Sequence, residues 1–251
     1  MKYKIEPEAD LCLANLQESN LRGANLRGAD LSYANLQESN LKGANLKGTN
    51  LTDTNLQECN LKGANLKGAN LSKANLQETN LEEANLKGAN LFSANLGEAN
   101  LKGANLQGAD LSYANIHETN LEGANLKGAE LDNASLPGAS FQRANLQGAD
   151  LESTNLKGAN LQNANLQNAK LACAILRGAN LKGANLEGAN LEQAVLQQTN
   201  FEDANLYGAE LQHASIQDSD FTGANLRYAV LDGTNLEGID LDEVDQKKTN
   251  R

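Results

Sequence analysis

Tryptophan is absent from this chain of 251 residues, proline occurs twice, methionine once, and aromatic residues make up only 4%. Ring packing therefore cannot dominate the core, which has to be built from smaller side chains. Three cysteines, Cys12, Cys59 and Cys173, lie far apart, without the dense even spacing of a disulfide scaffold or the paired spacing of a zinc site. They are expected to be reduced structural thiols. Nowhere do eighteen consecutive apolar residues occur, and Met1 to Leu13 carries Lys2, Lys4, Glu6, Glu8 and Asp10 with no apolar run of signal-peptide length. A cytoplasmic protein with no membrane partner is the expectation. Positive charge is also in deficit: 21 Lys and Arg against 32 Asp and Glu give a net charge of −11, which disfavours bulk attraction to nucleic acid.

Chemistry-bearing motifs are missing as well. There is no phosphate-binding Gly-rich loop, no dinucleotide fingerprint and no nucleophile elbow. His117 and His213 are the only histidines, and they are too far apart in the sequence register to share a metal or a proton. No catalytic, metal-binding or cofactor-binding residue is assigned, and an enzyme is not expected.

What the chain does have is rhythm. Asn15-Leu16-Gln17-Glu18-Ser19-Asn20 returns unchanged at 35–40 and nearly unchanged at 55–60 and 75–80. Inside that twenty-residue period, an apolar centre recurs every five residues from Leu11 to Leu241 without insertion or deletion, in 47 consecutive units. The centre is Leu except at Ile116, Ile216, Phe141, Phe201 and Phe221, and the residue two before it is small in every unit except that of Ile239. Nested periods of this kind mean a repeat architecture.

A continuous α-helix would rotate successive centres by about 140° and leave no apolar stripe. A continuous strand fails too, because five is odd and successive centres would face opposite ways. A short extended segment followed by a bend in every pentapeptide satisfies both constraints. The centre and the residue two before it then point inward, the other three positions point outward, and four sides close one coil. Glycine two after many centres serves the bends, and because it alternates with sides lacking glycine, bends of more than one type are expected. Coils at about 4.8 Å spacing make a rod roughly 55 Å long. Pro137 removes one donor; it either marks a break in the stack or stands where the ladder has a gap.

Units such as Ala-Asn-Leu-Lys-Gly and Ala-Asp-Leu-Ser-Tyr resemble those of the pentapeptide-repeat family. The resemblance implies an all-β fold, a right-handed quadrilateral parallel β-helix (solenoid), here of about twelve coils of four pentapeptides. The expected organisation is an N-terminal cover segment at 1–8, an uninterrupted solenoid at 9–243 and a polar tail at 244–251. Tyr3 and Ile5 are expected to lie over the first coil. Some relatives imitate DNA and bind type II topoisomerases, while most have no assigned activity.

Function then has to be written in the outward columns. Glu18, Glu38, Glu58, Glu78, Glu98 and Glu118 form an acidic column that stops at Gly138, read either as a docking strip or as a solvated face. Arg22, Lys42 and Lys62 form one basic column and Arg27, Lys47, Lys67 and Lys87 another, with acidic and basic sides expected to neutralise each other around the rod. Ile175 and Val195 replace outward asparagine one coil apart, and Tyr207 and Tyr228 fall on one side beside Arg227 with Val230 close by. These six are the candidate protein-contact residues, since aromatics and arginine are enriched at binding surfaces. Two functions compete. One is a non-enzymatic scaffold for an unknown protein partner; the other is a DNA mimic acting on a gyrase-like topoisomerase. Duplex DNA carries one charge per about 1.7 Å, roughly 33 over such a rod, against a net −11 here. The scaffold is therefore preferred, as a monomer or with weak end-to-end association.

Overall fold

The computed structural model describes residues 3–235, among which there is no helix. Parallel bridges pair residues twenty apart throughout, from Asp10 with Asp30 to Glu210 with Val230, and every bridged residue stands one before an apolar centre. Each side of the coil is only about three residues long before the chain bends again. The sheet is therefore a stack of single-residue bridges instead of extended strands.

The five backbone N–H groups of a pentapeptide have five fixed destinations, which explains why the register never slips. The centre donates one coil forward, as Leu46 N–H does to the Asn65 carbonyl at 2.8 Å, and the residue before it donates one coil back, as Asn45 N–H does to Ala24 at 2.9 Å. The residue two after the centre also donates forward, Gly48 N–H to the Lys67 carbonyl at 3.0 Å, while Ala44 N–H closes its own turn onto Leu41 at 2.9 Å. The fifth donor, one after the centre, has no ladder partner. It is taken by the side chain of the asparagine two before it, as Lys47 N–H is by Asn45 Oδ1 at 3.3 Å. Asparagine amides also bond coil to coil, Asn45 Nδ2 to Asn25 Oδ1 at 3.1 Å, so the recurrent asparagine serves the turn and the stack together.

Pro137 stands at that fifth position. Its missing donor costs the ladder nothing, and the stack runs on through Leu136 N–H to Asn155 at 2.7 Å and Glu118 N–H to the Pro137 carbonyl at 3.0 Å. The gap alternative is the one the structure realises.

Inward, leucines and alanines fill the interior with almost no exposure, and Phe141 and Phe201 are among the largest fully buried side chains. Most polar residues that replace alanine are satisfied in one repeated way, while Thr154 Oγ1 donates within its own turn to the Leu151 carbonyl at 2.7 Å. Ser39 Oγ donates to the Leu16 carbonyl at 2.6 Å, and Thr79 Oγ1 to Leu56 at 2.7 Å. Each of those carbonyls already accepts a turn N–H, so its second lone pair makes serine and threonine tolerable in the core. At the N-terminal end, Tyr3 and Ile5 pack against the core, and the Tyr3 hydroxyl accepts the Asn15 N–H at 3.3 Å. The ladder already includes Glu8, whose N–H donates to Arg27 at 2.9 Å. Of the expected organisation, residues 236–243 of the solenoid span and the tail at 244–251 lie outside the described residues.

The bends differ from expectation, because they are of one kind. Among the described residues, the residue two after each centre has a φ between 52° at Glu118 and 71° at Gly233, whether or not it is glycine. With the turn-closing hydrogen bond, positive φ at the third residue is the signature of a type II turn, where glycine is the least strained choice. Glu98 obeys the rule and its neighbour Gly97 does not have positive φ. The alternation of glycine along the sequence therefore reflects what each bend displays and not how it turns. Gly68 has a φ of +63° and open space where a Cβ would sit. Gly68→Ala is accordingly expected to cost about 1 kcal/mol from backbone strain alone, read as a fall in thermal midpoint with an unchanged circular dichroism spectrum.

Candidate functional site: the edges of the coil

Four bends per coil stack into four edges, each presenting the two residues after its centres. The acidic edge carries Glu18, Glu38, Glu58, Glu78, Glu98 and Glu118, all exposed. Glutamine amides lean on several of them, Gln37 Nε2 to Glu38 Oε1 at 3.2 Å and Gln57 Nε2 to Glu58 Oε1 at 3.2 Å. His117 lies beside this column, with Nε2 3.8 Å from Glu98 Oε1. Two bends away, diagonally across the coil, runs the basic edge of Arg27, Lys47, Lys67, Lys87 and Lys127, also exposed. Arg27 reaches Glu8 at 3.7 Å. Glu8, Arg27, Lys47 and Lys67 with Gly28, Gly48 and Gly68 line an open trough of about 430 Å³, the carboxylate of Glu8 occupying only its N-terminal end beside Arg27.

The edge that begins with Arg22, Lys42 and Lys62 behaves differently, and here the expected neutralisation around the rod is corrected. Opposite charges pair along it, one coil apart: Lys62 with Glu82 at 2.7 Å, Lys102 with Glu122 at 2.9 Å and Lys182 with Glu202 at 2.7 Å. Arg143 adds a contact to Glu122 at 3.1 Å. The Lys102 hydrogen bond, reinforced by its charge and by Arg143, holds the Glu122 carboxyl below its usual range. The Lys62 ammonium is pushed up by its hydrogen bond to Glu82. Stacked neighbours are one coil apart, whereas side chains on adjacent edges diverge outward from a convex corner, so axial pairing wins.

The fourth edge is one that sequence reasoning missed. It has no glycine before Gly233 and instead displays Leu13, Tyr33, Phe92 and Tyr113, all exposed. The Phe92 and Tyr113 rings meet at 5.6 Å between centroids, tilted by 57°. All four follow centres that share one position in the twenty-residue register, so writing the sequence in rows of twenty would have revealed them. Cys12 and Cys173 belong to the same edge and are exposed, whereas Cys59 is buried and donates to the Leu36 carbonyl at 2.8 Å. The expectation of three structural thiols thus holds for Cys59 alone.

Burial pushes the Cys59 thiol up to about 12. At about pH 8 it holds roughly a thousandfold less thiolate than an ordinary cysteine. Iodoacetamide is expected to label Cys12 and Cys173 readily and Cys59 only after unfolding, as mapped by peptide mass spectrometry.

The proposed contact residues divide into two groups. Tyr207 and Tyr228 touch, with ring centroids 5.0 Å apart and a 60° tilt, and both stay substantially exposed. They continue the basic edge into the later coils; Arg227 stands beside Tyr228, and Val230, bridged to Glu210, follows on the next side. Ile175 is exposed and is bridged to the half-buried Val195. That pair lies on a different side of the coil, because its register position falls just before the acidic edge, so one patch becomes two. Among the described residues, no group of His, Cys, Asp or Glu side chains is placed to hold a metal ion. No helix there is long and apolar enough to cross a membrane.

A core of apolar centres and small residues, stacked at a twenty-residue interval, defines a repeat protein of the four-sided β-solenoid class. The chain belongs to the pentapeptide repeat family: eight copies of that family's pattern match it, beginning at residues 8–48 and ending at 219–245. Members of the family fold as right-handed quadrilateral β-helices. Among solved structures it is similar to HetL, a pentapeptide repeat protein involved in heterocyst differentiation regulation from Nostoc sp. strain PCC 7120. Identity is 33% over 90% of this chain and 88% of that one, with a TM-score of 0.32. It is also similar to QnrB1, a plasmid-mediated fluoroquinolone resistance protein, at 18% identity over 73% of this chain and 84% of that one, with a TM-score of 0.40. A third is Rfr23 from the cyanobacterium Cyanothece 51142, at 29% identity over 53% and 90%, with a TM-score of 0.28. No curated protein matches the sequence.

Proposed function

We propose that this protein is a non-enzymatic scaffold, a right-handed rod of about twelve coils of four pentapeptides, that presents its edges to a protein partner in the cytoplasm. One observation carries the reading. Tyr207 and Tyr228 meet at 5.0 Å, tilted by 60°, on an outward edge where both rings stay substantially exposed. Paired aromatics half in solvent offer large contact area at little entropic cost. The test compares wild type with a Tyr207→Ala, Tyr228→Ala double variant, both immobilised for capture from the native host. A partner retained by the first and lost by the second supports the patch; identical capture profiles reject it.

The topoisomerase reading is less well supported by charge. Even the acidic edge offers one carboxylate per coil, about 4.8 Å, where DNA offers a charge per about 1.7 Å, and a basic edge runs along the same rod. A gyrase supercoiling assay separates the two readings, with no inhibition expected.

A further inference from the structure

Along the middle of the N-terminal half, the acidic and basic columns have few partners within the rod: Arg27 reaches Glu8 and Glu98 lies near His117, and the other members stand apart. Among the described residues, Lys47, Lys67, Lys87 and Lys127 are in no ion pair, and neither are Glu18, Glu38, Glu58, Glu78 and Glu118. The contrast with the paired edge shows that this is a feature of these columns and not of the fold, since the same stacking geometry pairs Lys62 with Glu82 and Lys102 with Glu122. The columns also share a period, because each advances by one coil of twenty residues. They lie at diagonally opposite corners and both occupy the N-terminal half of the rod.

We propose that copies of this chain associate side by side, parallel and in register, with the basic edge of one copy seated against the acidic edge of the next. A sideways translation by one rod width is sufficient. It carries the Glu38, Glu58 and Glu78 column onto the Lys47, Lys67 and Lys87 column with every coil in step. The axial offset between residues 18 and 27 is nine parts in twenty of a coil, about 2 Å, within the reach of lysine and glutamate side chains. The glycines beside the lysines leave an open trough into which the partner's carboxylates can descend. An antiparallel neighbour could align whole columns only by sliding the rods past each other, because both columns lie toward one end.

The net charge of −11 opposes association, but at moderate ionic strength charges beyond about 10 Å are largely screened while contacting pairs are screened less, and only high salt weakens the contacts themselves. Translation generates a heterologous contact that does not close, so the product is an open row of rods and not a fixed dimer. This differs from end-to-end stacking, which would bury bridge edges and leave both charged columns free.

Sedimentation velocity at about 50 mM and about 500 mM NaCl provides the test, since the salt should weaken a charge-made contact at least roughly tenfold. The wild-type sedimentation coefficient is expected to rise with concentration at low salt and to stay monomeric at high salt. The triple variant Lys47→Glu, Lys67→Glu, Lys87→Glu and the triple variant Glu38→Lys, Glu58→Lys, Glu78→Lys should each be monomeric alone and should associate when mixed. All six positions are exposed bends, and circular dichroism checks that the variants fold. A monomeric wild type at low salt overturns the proposal, as does association that survives either triple variant, which would point to the rod ends. Binding of a linear polyphosphate to the basic edge, with no self-association, also overturns it. None of these outcomes bears on Tyr207 and Tyr228, so this proposal and the partner patch fail separately.

Discussion

Leu106→Ala is expected to lower the unfolding free energy by about 2–5 kcal/mol. Leu106 is fully buried, with Leu86 and Leu126 of the same column, one coil to either side, equally inaccessible. Truncation removes the contacts to both and leaves a void that the ladder prevents from closing, since Leu106 N–H is held to Asn125 at 2.7 Å. Interiors this dense lose both the transfer energy and the cavity term. In a solenoid each coil touches only its neighbours, so the damage is local in origin, but a weakened middle coil uncouples the two halves of the stack. Chemical denaturation should show the loss, with Lys47→Ala as an exposed control expected to change stability by less than about 0.5 kcal/mol.

The second large effect concerns the aromatic centres. Phe201 and Phe221 occupy one column in adjacent coils and stack at 4.8 Å with only 12° between their planes. Phe201→Ala is expected to cost about 3–5 kcal/mol. Phe201→Leu restores the side chain that most centres carry and should cost less than about 1.5 kcal/mol. A double-mutant cycle between Phe201 and Phe221 should return a coupling of about 0.5–1.5 kcal/mol. Equal losses for the alanine and leucine variants would mean that the ring itself, and not the filled volume, is what the column requires.

Much of the fold was legible because the pentapeptide constrains it so heavily. The inward role of Leu16, Leu106 and Ala104, and the closure of a coil after twenty residues, follow from spacing alone. The bends were misread because glycine was taken as a marker of turn type. Glu18 and Gly28 share the same left-handed φ, which a sequence does not display. The edge of Tyr33, Phe92 and Tyr113 escaped because its members differ in type and in position on the bend, so no single residue recurs at twenty as glutamate does on the acidic edge. Ile175 and Tyr207 were both singled out because they break the repeat, and a difference of a few register positions puts them on different sides. The neutralisation of charge was expected between neighbouring sides, but Lys62, Lys102 and Lys182 each pair along the stack with a carboxylate one coil away, because a corner diverges while a stack does not.

By itself, the sequence determined the shape of the unit. A five-residue period with an inward pair is incompatible with both regular helix and continuous strand, and the return of Gln-Glu every twenty residues closes the coil at four sides. The tertiary structure decided what the outward residues do. Lys62 is neutralised by Glu82 at 2.7 Å while Lys67, five residues later, is in no ion pair. The two lysines are near in the chain and alike in composition, and only the stacking of coils gives one of them a carboxylate to touch. Electrostatic pairing depends on distances of a few ångströms across the stack, and those are set by which residues share an edge, not by which are neighbours in sequence.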